Sequence, residues 1–131
     1  MRIDLHCHTK FSKDNHFEPE ALLAEAAAKA SGGVCIPSHP YRGIVSMGDS
    51  AFDSDFFDAV ETLNGANPDR MNDKAVKAAR KHGMNGIGGS DAHSPGEVGR
   101  AYTIFQRWIY TVEELVVEIK SGRFRPERMK G

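Results

Sequence analysis

The N-terminal stretch Met1-Arg2-Ile3-Asp4-Leu5-His6-Cys7-His8-Thr9 alternates apolar and polar side chains and ends in two histidines. A β-strand has a side-chain period of two, so Asp4, His6 and His8 share one face while Ile3, Leu5 and Cys7 share the other. Two neutral imidazoles on one face at a strand end can share a metal ion. The spacing alone is weak, because six histidines in 131 residues give ~0.2 chance occurrences of His-x-His. The pair gains meaning only from partners elsewhere.

Such partners recur along the chain. Ser38-His39-Pro40 follows the β-forming run Val34-Cys35-Ile36-Pro37, Glu61 lies in Val60-Glu61-Thr62-Leu63, and Gly89-Ser90-Asp91-Ala92-His93 follows the run Met84 to Gly88. His6, His8, His39, Glu61, Asp91 and His93 all fall at or just past expected strand ends, where βα folds bind their ligands. Mixed imidazole and carboxylate donors suit Zn²⁺, Mn²⁺ or Fe²⁺ ions that activate water. A structural zinc site would instead close with cysteines or histidines at short spacing, and Cys7 faces away from the histidines.

The elements that must position these residues are marked by their stop signals. A helix is expected from Glu18-Pro19, with Leu22, Leu23, Ala26, Ala27 and Ala30 inward and Gly32-Gly33 as its end. A second is expected from Pro68, with Asn67 as its cap, Met71, Ala75, Ala78 and Ala79 inward and Gly83 as its stop. Arg100 to Gln106 reads as a strand in which Ala101, Thr103 and Phe105 alternate with Tyr102 and Ile104. A last helix has Thr111 and Glu114 at capping-box spacing, Leu115, Val116 and Ile119 inward and Gly122 at its end. Tyr41 to Asp55 reads as a long loop, and 123–131 as a basic, loosely ordered tail.

At 131 residues and 40% hydrophobic content, the chain suits a single domain, 1–131, with a real core. A net charge of −1 provides no basic field for nucleic acid or an anionic membrane surface. No apolar run suggests a membrane span, and two cysteines make no disulfide framework, so a cytoplasmic location is expected.

Taken together, Asp4-Leu5-His6-Cys7-His8-Thr9 with Ser12 and Asp14, Ser38-His39-Pro40, Val60-Glu61, Gly89-Ser90-Asp91-Ala92-His93 and Gly99-Arg100-Ala101-Tyr102-Thr103 resemble the PHP superfamily, the polymerase and histidinol phosphatase domain of metal-dependent phosphoesterases. The resemblance runs from Met1 to about Phe124. It implies that His6, His8 and Asp91 bind one metal, that Asp14 and His93 serve a second, and that His39 serves a third. The family's bridging glutamate has no sequence counterpart; Glu61, at a strand end, is the candidate substitute. One or two divalent ions, Zn, Mn or Fe, are therefore expected. Asp4 is expected to orient a histidine ligand.

The resemblance further implies hydrolysis of a small phosphorylated substrate by metal-activated water, with Asp91, His93 and Arg42 at the reacting centre. Arg42, Arg100 and Lys10 are the candidate phosphate contacts. Two alternatives stand beside this reading: a metal-binding module that turns nothing over because ligands are missing, and a metal-dependent hydrolase of a C–N bond. The implied fold is α/β, an incomplete or distorted TIM-like (β/α) barrel of about five mainly parallel strands and about three or four helices, since a full barrel takes about 250 residues. A homodimer covering the open barrel edges is expected with it.

Overall fold

The computed structural model describes residues 1–6, 31–43 and 46–129. The helix expected from Glu18 and the site candidates His8, Lys10 and Asp14 lie outside these residues. Five strands are found among the described residues: β1 (Arg2–Ile3), β2 (Val60–Asn64), β3 (Gly86–Gly89), β4 (Ala101–Phe105) and β5 (Phe124–Arg128). The described residues also form two α-helices, α1 (Asp69–His82) and α2 (Val112–Ser121), with 3₁₀ turns at Gly48–Phe52 and Pro95–Glu97. No described helix is long and apolar enough to cross a membrane.

The local signals set the helix ends. Gly83 and Gly122 take left-handed φ values of 65° and 71°, a conformation that a side chain would disfavour, and so stop α1 and α2. The Thr111 hydroxyl accepts from the Glu114 backbone N–H at 3.1 Å and caps α2, whereas the Glu114 carboxylate accepts from the N–H of Tyr110. Asn67 does not cap α1; Pro68 holds the cap position, and the Asn67 side chain donates to Asn72 instead.

The expected TIM-like barrel of mainly parallel strands is overturned. The described strands form a three-stranded antiparallel sheet, in the order β1-β4-β5, and a separate parallel pair, β2-β3, with no closed barrel. Alternation of strand and helix along a chain fixes neither the partner nor the direction of a strand. Here the direction of β4 is fixed by docking on the N-terminus, where the Met1 ammonium donates to the Phe105 carbonyl at 2.9 Å and the Phe105 N–H donates to the Met1 carbonyl at 2.8 Å. The 124–128 part of the expected loose tail is strand β5, running from Phe124 opposite Phe105 to Arg128 opposite Ala101.

β2 lies between β3 and the segment 34–37. The Val60 N–H donates to the Asn85 carbonyl and the Glu61 N–H to that of Pro37, each at 3.0 Å on opposite sides. Segment 34–37 thus lies beside β2, although it is not itself a strand. Two apolar clusters flank this layer. Val60 packs with Ala51, Phe52 and the α1 residues Ala75 and Ala79, while Ala59 and Ile87 pack with Phe105, Ile109 and Ile119. The parallel pair therefore carries core on both sides.

A side chain joins the two sheets. The buried Thr103 hydroxyl accepts from the Gly88 N–H at 2.9 Å and donates to the Gly88 carbonyl at 3.0 Å, standing in for the backbone ladder between β3 and β4.

Candidate metal centre

Four chain segments converge here: β2 and the stretches that follow β1, segment 34–37 and β3. Beyond β1, His6 has its backbone carbonyl taken by the Asp91 N–H at 2.7 Å. That close docking depends on Gly89, where a methyl group would sit 2.3 Å from His6 Cβ and 3.0 Å from a Glu61 carboxylate oxygen. Asp4 pins the same junction. Its carboxylate accepts from the backbone N–H groups of His6 (3.2 Å), Ser90 (2.8 Å) and Gly99 (3.0 Å), so among the described residues it holds backbone; the histidine candidate His8 lies outside them. Burial pushes the Asp4 carboxyl up, but these donors hold it below its ordinary value.

His6, His39 and Asp91 come together here, each offering one donor atom within 4.8 Å of the others. His6 Nε2 lies 3.4 Å from Asp91 Oδ1, and the two imidazole rings are 5.5 Å apart at their centres. Asp91 is only 2% exposed. Among the described residues, His39 (φ 30°) and Asp91 (φ 54°) are the two non-glycine residues with positive φ. Such conformations cost free energy and persist where surroundings hold them. The His39 N–H donates to Glu61 Oε2 at 2.7 Å, and the Asp91 carbonyl is bound by His93 Nδ1 at 2.9 Å.

The electrostatics suit a cation. Burial raises the Asp91 carboxyl, yet the Asn64 amide and the positive charge of His6, Arg42 and His39 bring it below its usual range, so it is ionised at neutral pH. Burial lowers His39, assisted by His6 and Arg42 and opposed by Glu61 and Asp91, which favours the neutral, ligating imidazole. Burial also lowers His6, but the bond to Glu61 and the charges of Glu61, Asp91 and Asp4 outweigh it and leave His6 raised. Two nitrogens and one carboxylate oxygen at this separation are compatible with a bound divalent ion.

The other expected site residues are placed differently. An Nη1 group of Arg42 donates to Asp91 Oδ2, which brings Arg42 to the centre. Glu61 adjoins the centre, with its Oε1 2.8 Å from His6 Nδ1. His93 lies at the rim, half exposed, with Nδ1 4.0 Å from Asp91 Oδ1. Arg100 pairs with Glu97 at 3.5 Å. Asn64, which sequence reasoning missed, is buried and donates from Nδ2 to both Glu61 (3.0 Å) and Asp91 (3.1 Å). Its place at the end of β2, three residues after Glu61, was the available signal.

Residues 69–124 match a family model described as PHP-associated. The match is consistent with a PHP superfamily-related domain. No curated protein and no solved structure matches the chain. The PHP-associated stretch runs from α1 to the start of β5 and contains Asp91 and His93; His6, His39, Arg42, Glu61 and Asn64 precede it.

Proposed function

We propose that this PHP-related chain is a metal-dependent hydrolase of phosphate esters. The observation that carries the proposal is the convergence of His6, His39 and Asp91 donors within 4.8 Å, with the Arg42 guanidinium beside them. His6, His39 and Asp91 would hold a divalent ion, which would supply Lewis acidity for phosphate-ester hydrolysis. The chain's own residues do the rest. Asp91, buried and anionic, holds the site's negative charge, and Arg42 spends one arm of its fork on Asp91 while its other donors suit a phosphate oxygen. His93, half exposed at the rim, is placed to exchange a proton with substrate or solvent.

The guanidinium is also what favours phosphorus over a C–N substrate, since charge neutralisation is the main demand of phosphoryl transfer. The test is metal analysis of the purified protein, followed by hydrolysis of a generic phosphate monoester and diester with added Mn²⁺, for the wild type and for His39→Ala and Asp91→Ala. The wild type should hold metal and hydrolyse ester, and both variants should lose both. Metal without hydrolysis would instead make the chain a metal-binding module, and full activity in both variants would end the proposal.

A further inference from the structure

Glu61 stands beside the metal-binding group, and its carboxylate has an unusual duty: three donors from three segments converge on it. Oε1 lies 2.8 Å from His6 Nδ1, while Oε2 accepts from the His39 backbone N–H at 2.7 Å and from Asn64 Nδ2 at 3.0 Å. Glu61 is 1% exposed. The orientation of the Asn64 amide is settled by its other end, where Oδ1 accepts from the Ala66 N–H at 2.9 Å and leaves Nδ2 to face the carboxylates. Asn72 of α1 fixes Asn64 in turn, accepting from its backbone N–H at 3.1 Å and donating to its carbonyl at 3.0 Å.

A carboxylate offers only acceptors, so the imidazole nitrogen facing it carries the hydrogen. We propose that Glu61, held by Asn64, is a positioning residue that locks His6 in its Nδ1–H tautomer, so that the Nε2 lone pair faces the ion shared with His39 and Asp91. The same carboxylate holds the His39 backbone at its positive φ, so one side chain sets both histidine ligands. This deepens, and rests on, the metal-centre reading.

The isosteric change Glu61→Gln is the discriminating variant. Its NH₂ group meets a donor whichever way it turns. Facing Oε2's partners it opposes the His39 N–H and the Asn64 amide together, whereas facing His6 it opposes one nitrogen that can give up its hydrogen to Nε2. The second arrangement costs less and removes the lone pair the ion needs. Nitrogen-15 NMR of the metal-free protein, above the imidazolium range, should find the wild-type His6 hydrogen on Nδ1 and the E61Q hydrogen on Nε2. Titration with Mn²⁺ and Zn²⁺ should find E61Q weaker by roughly 10–100-fold. A wild-type His6 protonated on Nε2, or an E61Q protein that keeps the Nδ1 hydrogen or wild-type affinity, would overturn the inference. If E61Q fails to fold, the wild-type tautomer decides. Absence of metal binding by the wild type would count against the metal centre, and the tautomer would still report on Glu61.

Discussion

Gly89 is the residue on which the approach of His6 to Glu61 depends. Adding one methyl there puts carbon 2.3 Å from His6 Cβ, so the His6 backbone must retreat from the end of β3. Gly89→Ala is expected to keep its helical circular-dichroism signal while its Mn²⁺ affinity falls about tenfold or more, the scale of loss when a ligand's support is disturbed. Unchanged affinity in a titration would mean that His6 is not held through this contact. Conversely, under the proposed metal reading His39→Ala and Asp91→Ala remove donors directly and should differ from Gly89→Ala by losing metal altogether. At this scale the convergence of His6, His39 and Asp91 was foreshadowed by histidines and an acid closing apolar runs of the sequence. Asn64 was not, since an asparagine at a strand end reads first as a turn former.

Among the elements, the joint between β3 and β4 rests on one hydroxyl. Thr103→Val keeps the volume but leaves the Gly88 N–H and carbonyl without their partner, so chemical denaturation should show a loss of roughly 1–3 kcal/mol. A loss below a few tenths would show that water or backbone replaces it. Helix α2 carries a second polar anchor. Its buried Glu118 accepts from Arg123 Nη2 at 2.6 Å and Nε at 3.2 Å, with Arg107 Nη1 at 3.7 Å. The bond to Arg123 and the charges of Arg123 and Arg107 hold its carboxyl below the ordinary 4.5, against burial, which raises it. A depressed folded-state value makes the contribution fully present above pH 4.5 and lost as pH falls through the lower folded value. Stability curves measured from pH 7 downwards should therefore fall below about pH 4.5 in the wild type and lose part of that dependence in Glu118→Gln. Helices α1 and α2 and their glycine stops were readable because stop signals and periodicity are local, and the alternation of Ala101, Thr103 and Phe105 with Tyr102 and Ile104 is the alternation of buried and part-exposed residues in β4.

For the molecule as a whole, the correction that matters most concerns strand β5. Phe124 packs its ring 5.5 Å from that of Phe105, and the strand covers the whole length of β4. Ending the chain before Phe124 should lower the melting temperature and, by baring β4, raise light scattering during the melt. An unchanged melt would return 123–131 to the status of a tail. By itself the sequence determined helices α1 and α2 with their glycine stops and the strands β2, β3 and β4, all of which depend on neighbours a few residues apart. The tertiary structure alone decided which strands pair and in which direction, that Asp4 would grip backbone amides, and that Glu61 would face His6. Strand pairing and the convergence of buried polar groups depend on contacts between distant segments, such as Met1 with Phe105 or Glu61 with His39, and side-chain periodicity carries no record of those partners.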